Sequence, residues 1–446
     1  MLKTFTPGGI HPPADKLSSR EATVPLPLPE RVAIPLSQHI GVPATPLVKK
    51  GDRVKAGQLI GEAVGPISAN VHSSVSGTVL DIEAVVDASG YARPAVVIRV
   101  EGDEWDASVS RQESPGRHLS AFSREEILAA IQAAGIVGMG GATFPTRVKL
   151  SPPPGSEPGL LIINGVECEP FLTADHRLMI EKSRELLIGT RFLMKALGVE
   201  QAVIGIENNK PDALAGMREA VMKHALGIEV CPLKVKYPQG GEKQLIRAIT
   251  GRRVPPGALP ISVGVVVHNV GTVYAAYEAI TMHKPLVERV VTVTGKSLSR
   301  PGNYLCRVGT PVACLIEAAG GLPGDTGKVI AGGPMMGKAL TSTAVVVTKG
   351  TSGVLVIPES EARRQPARDC IRCTKCVKAC PMGLEPYLLM TLGEYRQTEA
   401  LERARVMDCI ECGSCNFTCP AHRPLLDIIR LGKSRVGQLM KTRKPS

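Results

Sequence analysis

Aromatic residues make up only 3% of the 446-residue chain, with Trp105 the single tryptophan. So few stacking platforms argue against a base-stacking single-strand binder. Long apolar runs are missing too. Stretches such as Val263–Val267 and Leu160–Ile163 fall far short of the ~18 residues that span a bilayer. The opening ten residues are broken by Pro7, Gly8 and Gly9, which leaves no signal-peptide core. An integral or secreted protein is therefore not expected. Acid is absent after Asp427, while Arg430, Lys433, Arg435, Lys441, Arg443 and Lys444 follow. Residues 363–446 hold 16 Lys/Arg against 8 Asp/Glu, which is +8 of the chain's +12. Such an end suits an anionic partner or is simply a solvated tail.

What the chain does have is glycine, proline and clustered cysteine. Its 46 Gly and 36 Pro imply many turns and several small modules. Its length allows about three domains at roughly 150 residues each. Of the 12 Cys, eight fall between Cys370 and Cys419. A disulfide framework would be spread more evenly, so the cluster points to metal.

Residues 25–100 alternate short β-prone runs with turns. Val48–Ile60 and Val75–Val79 are similar to the biotinyl/lipoyl barrel-sandwich pattern, with Gly51 and Gly57 at tight turns and Val54, Leu59 and Ile60 facing inward. A working carrier needs a lysine at its hairpin tip. None occurs between Lys55 and Lys149, so the shape is expected without acyl-carrier chemistry. From about residue 122 strands and helices alternate. Ser123 and Glu126 form a capping box for a helix at Ile127–Ala134. Further elements are a strand at Leu160–Ile163, a helix through Met179–Leu197, a strand at Ala202–Ile206 and a helix at Pro211–Ala225. Strands at Glu229–Tyr237 and Val263–His268 complete an α/β domain with helices on both faces. A compact β-grasp-like module fits residues 290–330. Strand returns over 344–357, and Pro358–Pro366 reads as a linker.

Cys370, Cys373, Cys376 and Cys380 are followed by Pro381, and Cys409, Cys412, Cys415 and Cys419 by Pro420. Each set is C-x2-C-x2-C-x3-C-P, the bacterial two-cluster ferredoxin spacing. Three thiolates two residues apart wrap three corners of a cube, and in two-cluster folds the fourth reaches the other cube. Cys370, Cys373, Cys376 and Cys419 are thus assigned to one [4Fe–4S] cluster, and Cys409, Cys412, Cys415 and Cys380 to the other. Structural zinc usually takes paired hooks, and a third evenly spaced Cys disfavours it. One-electron transfer is implied.

Four polar, Gly-rich segments lie at or between element ends. Gly138-x-Gly140-Gly141 precedes Lys149. Glycines there let backbone N–H groups approach a phosphate or flat ring. Asn164, Glu167 and Glu169 follow a strand end, where open α/β sheets bind ligands. A helix N-cap with acidic first-turn residues reads equally from the same pattern. Tyr237, Gly240, Gly241 and Glu242 follow another strand, and His268, Asn269 and Thr272 a fourth. His268 is best read as a core histidine. Cys168, between two glutamates, should not be a reactive thiolate, and Cys231, Cys306 and Cys314 read as buried hydrophobes.

The order Gly-Met-Gly-Gly-Ala-Thr-Phe-Pro-Thr-Arg-Val-Lys149, Asn164-Gly-Val-Glu-Cys-Glu-Pro170, Tyr237-Pro-Gln-Gly-Gly-Glu242 and Asn269-Val-Gly-Thr272 resembles the NADH-binding flavoprotein subunit of respiratory complex I. With Phe5-Thr-Pro-Gly-Gly-Ile-His-Pro-Pro13 and the two ferredoxin motifs, the chain closely resembles the RnfC family of ion-translocating Rnf electron transport complexes, from about Phe5 to Ile429. Departures are Val166 in place of an Asp, Thr143 in place of a Gly, and Met139 in place of an Arg.

The resemblance implies FMN held by Gly138, Gly140, Gly141, Lys149, Asn164, Tyr237, Gly240, Gly241, Asn269 and Thr272. It implies NAD(H) on the flavin with Glu167, Glu169 and Glu242 nearby. It also implies an α/β multidomain chain: a barrel-sandwich domain at 1–115, an FMN/NADH-binding α/β domain at 116–285 and a β-grasp (SLBB-like) module at 286–345. A return strand and linker at 346–366, a two-cluster ferredoxin domain at 367–430 and a basic tail at 431–446 complete it. The expected function is peripheral electron transfer. NADH feeds FMN, FMN feeds two [4Fe–4S] clusters, and the clusters feed membrane subunits that pump Na⁺ or H⁺, or the same parts run in reverse and reduce NAD⁺ with electrons from ferredoxin. The chain itself is expected on the cytoplasmic side of the inner membrane. The alternatives are a soluble flavin/iron–sulfur reductase such as a microcompartment cobalamin reductase, which lacks the leading barrel-sandwich, and a zinc scaffold for nucleic acid. No nucleic-acid partner is expected.

Overall fold

In a computed structural model, residues 2–110, 112–113, 119–224 and 227–443 are described. The expected 115/116 boundary, Ala225 and Lys444 lie outside them.

Two small sheets form the N-terminal barrel-sandwich. One holds Arg31–Pro35, Ala92–Gly102, Ser76–Val86 and Arg53–Val54; the other holds Thr45–Pro46, Leu59–Glu62 and Val71–His72. Val32, Ile34, Val54, Ile60, Val71, Val96 and Ile98 fill the space between them. Leu59 is only half-buried. Gly51 and Gly57 turn the chain at φ +90° and +87°, a region L side chains avoid.

The α/β domain has four parallel strands in the order Ile228–Leu233, Ala202–Glu207, Leu160–Asn164, Val265–Asn269. Helices Arg124–Ala133, Ser183–Leu197 and Val270–Met282 share the core on one face. Helix Glu242–Thr250 packs on the other, beneath Phe5, Ile162 and Val267. Chain order reverses beside Leu160–Asn164, which pairs with the first and the last of the later strands. The ends at this switch point are Asn164 and Asn269, partners in register. A crevice at the carboxyl ends of parallel strands is where such sheets take ligands.

Three expectations change. The helix read over 179–197 is two helices, Ala174–Glu181 and Ser183–Leu197, because Lys182 breaks the helical backbone at φ −132°, ψ 31°. The strand expected to reach Tyr237 stops at Leu233, and Tyr237 pairs instead with Ile10. Only Gly353–Pro358 of the 344–357 stretch is strand. It lies between Glu288–Thr294 and Thr326–Ala331 in the six-stranded β-grasp sheet, which also takes Thr23–Pro25 at one edge.

The C-terminal domain is built from short helices around Leu389, Met390, Leu401, Val406 and Ile429. The basic end is a helix, Leu425–Arg443, with Leu425, Leu426, Ile429 and Val436 buried. Several of its cations are committed: Arg430 and Lys433 meet Glu411, and Arg443 meets Glu402. Among the described residues no helix is long and apolar enough to cross a membrane.

Candidate functional site

The glycine loop is pinned on one side and open on the other. Gly138 N donates to Phe144 O (2.9 Å) and Met139 N to the Thr272 hydroxyl (2.9 Å). Gly140 and Gly141 are exposed. A Cβ on Gly140 would stand 2.6–2.8 Å from the Asn269 side chain, whereas one on Gly141 meets nothing within 4 Å. Asn269 is itself fixed. Its Oδ1 accepts from Gly271 N (2.8 Å), capping helix Val270–Met282, and its Nδ2 donates to Asp175 Oδ2 (2.6 Å). Burial and the neighbouring Glu167 carboxylate push Asp175 up to about 7.

Across the crevice, Asn164 Nδ2 donates to Gly240 O (2.9 Å) and its Oδ1 accepts from Val166 N (3.2 Å). Lys149 reaches over to Glu242 at 2.5 Å, so two expected site residues neutralise one another. Gln244 Oε1, beside Gly241, is buried without a partner. The arrangement is a shallow glycine-floored cradle with amides, one lysine and one glutamate around it, which fits a flat ring carrying a phosphate.

Three expected site residues are engaged elsewhere. Glu167 caps helix Ala174–Glu181, accepting from Asp175 N (2.8 Å) and His176 N (3.3 Å), so the helix-cap reading describes its side chain. Glu169 Oε1 accepts from Met335 N (2.6 Å) and Met336 N (3.0 Å) of the β-grasp module, and burial raises its carboxyl. Tyr237 is buried and its hydroxyl donates to Cys412 O (2.8 Å). His268 is buried and kept neutral by desolvation. Desolvation also raises Cys168, Cys231, Cys306 and Cys314, as expected of inert thiols.

The eight clustered cysteines form two unlike groups. Cys380 lies within electrostatic reach of Cys409, Cys412 and Cys415, and the four line one small cavity with Leu384 and Ile410. Leu384 N donates to Cys380 Sγ (3.3 Å) and Glu411 N to Cys409 Sγ (3.4 Å). Cys376 faces Cys419, while Cys370 and Cys373 are exposed. Arg372 and Glu411, then Thr374 and Gly413, are left-handed at matching positions of the two motifs, so the sequence duplication is also a backbone duplication. Among the described residues no three His, Cys, Asp or Glu side chains converge tightly enough for a single ion. Thiols spread around a hollow suit the corners of a cube better than the one centre of a zinc site.

The group around Cys380 sits against the cradle's domain. Besides Tyr237, Gln244 Nε2 reaches Met382 Sδ (3.3 Å) and Gly9 N donates to Ala379 O (2.9 Å).

Comparison with known proteins gives matches along the chain. Residues 4–103 match the RnfC barrel sandwich hybrid domain, 131–278 the Nuo51 FMN-binding domain, 290–339 the SLBB domain and 362–420 the 4Fe-4S dicluster domain. A subunit of the proton-translocating ferredoxin:NAD(+) oxidoreductase complex of Clostridium ljungdahlii is 44% identical, covering 97% of this chain and 94% of that one. The corresponding subunit of the Na(+)-translocating ferredoxin:NAD(+) oxidoreductase complex of Acetobacterium woodii is 45% identical, covering 96% of each. An NAD+-reducing [NiFe]-hydrogenase in the H2-reduced state shares the fold with a TM-score of 0.52, at 20% identity over 74% of this chain and 68% of that one. The chain belongs to the RnfC family, whose members are subunits of ion-translocating ferredoxin:NAD(+) oxidoreductase complexes.

Proposed function

We propose that this chain is the NAD(H)-side electron-transfer subunit of such a complex, docked peripherally on its membrane subunits. The observation that carries this reading is the contact of Tyr237, on the turn that walls the cradle, with Cys412 of the buried cysteine group. When bound, FMN supplies hydride exchange with NAD(H) and single-electron exchange with two [4Fe–4S] clusters.

The chain's own part is placement. Gly138, Gly140, Gly141, Gly240 and Gly241 offer backbone where side chains would obstruct. Asn164, Asn269 and Thr272 hold the two loops in register across the switch point. Lys149 supplies positive charge to a phosphate, partly neutralised by Glu242 until a ligand competes for it. Glu169 and Glu242 border the nucleotide side, and Glu167 shapes the same loop from its helix cap. Cys409, Cys412, Cys415 and Cys380 would hold the inner cluster, beside the cradle. Cys370, Cys373, Cys376 and Cys419 would hold the outer one, whose exposed Cys370 and Cys373 mark the face where electrons pass to or from a partner. The full-length relatives and the barrel-sandwich disfavour a soluble cobalamin reductase.

Anaerobically purified chain should absorb broadly near 400 nm (about that wavelength for iron–sulfur thiolates) and bleach on adding NADH. Absorption that NADH leaves untouched would overturn the assignment. Location is tested separately. A chain docked on the cytoplasmic face through polar and basic surface should leave isolated membranes on washing with about 1 M salt, where the screening length shrinks to about 3 Å. Retention after salt and mild alkali would require a hydrophobic anchor.

A further inference from the structure

Lys16 stands on an N-terminal strap that crosses the α/β domain ahead of the first barrel-sandwich strand, Arg31–Pro35. The strap pairs Lys3 with Leu233 and Ile10 with Tyr237. Its Gly9 donates to Ala379 O, one residue before Cys380. At its far end the Lys16 ammonium donates to three backbone carbonyls: Glu167 O (2.8 Å), Glu169 O (2.9 Å) and Leu172 O (2.6 Å). An ammonium has three protons, and all three are used on one loop. Converging those carbonyls takes left-handed backbone at Glu167 (φ +45°) and Phe171 (φ +70°), neither a glycine. The strap fastens the same loop again through Phe171 N to Ala14 O (2.9 Å).

A second ammonium continues the pattern. Lys210 donates to Val166 O (2.7 Å) and to Asn209 Oδ1 (3.1 Å), with Glu207 at 3.8 Å. Four carbonyls between Val166 and Leu172 therefore face two lysine heads. Among the described residues no carboxylate oxygen forms an ion pair with Lys16, although the Glu167 and Glu207 charges act on it from further off. Glu167 is spent on its helix cap and Glu169 on the Met335 and Met336 amides. Burial and the nearby Lys210 draw Lys16 down to about 8. The segment after Asn164 is folded around a tethered ammonium much as a loop folds around a bound monovalent cation.

We propose that Lys16 is a positioning residue for nucleotide binding, an internal ammonium that sets the 166–172 loop in its NAD(H)-competent shape. Through Gly9 and Ile10, it ties that loop to the turn bearing Cys380. The proposal rests on the reading of this loop as the nucleotide side of the cradle.

The test uses the full chain with its cofactors. In Lys16→Met, amide exchange over 166–173 should speed at least about 10-fold while the strand Ala202–Glu207 keeps its protection. The KM for NADH in ferricyanide reduction should rise roughly 10- to 100-fold with kcat within about 3-fold, the signature of lost binding without lost chemistry. Flavin and iron contents should hold. In Lys16→Gly, n-butylammonium should restore part of the NADH affinity, and Na⁺ at the same ionic strength should not. Unchanged exchange and KM would overturn the proposal. Loss of flavin, iron and stability together with no alkylammonium rescue would also overturn it, making Lys16 a general staple. A loosened loop with unchanged KM would overturn it differently, showing that Lys16 grips a loop the nucleotide does not use. If both variants fail to fold, Lys16→Arg decides. Its forked donors cannot converge on one point, so a raised KM with intact cofactors is expected, and a wild-type KM would sink the idea.

Discussion

Cys380→Ala is expected to remove the cluster resting on Cys409, Cys412 and Cys415, not the one formed by the other cysteines of its own motif. Its thiol faces that set across a shared cavity and is held by Leu384 N. Cys376, only four residues earlier, faces Cys419 of the second motif instead. The crossing follows from the short helix Lys375–Ala379, which turns the fourth cysteine of the run away from the first three. Iron content should fall by about half, or further if the small domain melts without its metal. The functional consequence should exceed the analytical one. The lost cluster is the inner one, against Tyr237, so NADH should no longer reduce the outer cluster although dithionite still does. Cys419→Ala should do the reverse, sparing the inner cluster and its reduction by NADH while closing the exit. EPR spectra of both variants after NADH and after dithionite separate these outcomes. Loss of the outer signal with the inner one intact in Cys380→Ala would mean the ligand sets do not cross, and two intact signals would mean Cys380 is not a ligand.

The parts legible in the sequence are those whose chemistry is covalently local. Cysteine spacing fixes the geometry of each motif. Ser123 and Glu126 form their capping box within four residues, and Gly51 and Gly57 sit where only glycine is comfortable. Asn164 and Asn269 are locatable because the site of a parallel sheet is set by where its strands end. What cannot be read depends on contacts between distant segments. Nothing near Lys16 in sequence announces that Glu167, more than a hundred residues on, will meet it. Glu167 is balanced in sequence between ligand and helix cap, and a helix start seven residues later claims it. Tyr237 reads as a strand residue by its β-prone surroundings, yet the strap and Cys412 draw it out of the sheet. The strand Gly353–Pro358 reads as an appendix to the β-grasp module and is a central member of its sheet. The C-terminal cations read as a free tail until Glu411 and Glu402 appear beside them.

Gly140→Val is expected to abolish flavin binding while leaving both clusters assembled. The backbone there is not in the left-handed region, so the objection to a side chain is space alone. A Cβ would lie within 2.8 Å of the Asn269 amide, and valine adds two methyl groups beyond it. Asn269 cannot yield cheaply. Its Oδ1 caps a helix of 13 residues, worth about 1 kcal/mol, and breaking its Nδ2 bond to Asp175 would leave a desolvated carboxyl unsatisfied, at a cost of about 1–3 kcal/mol. The loop must therefore lift off the crevice floor, and the cradle loses its shape. Flavin content should fall below about a tenth of wild type, since a shift costing about 1.4 kcal/mol is already tenfold in binding. NADH:ferricyanide reduction should fall with it. The cysteine domain shares no residue with this loop, so iron content and the iron–sulfur spectrum should be unchanged. Gly141→Ala is the companion variant. Its Cβ meets no protein atom within 4 Å, so the melting temperature should not move. Any loss of flavin there then reports contact with the bound group and not damage to the fold. Full flavin occupancy in Gly140→Val would place the flavin away from this loop and leave the glycines as an ordinary turn.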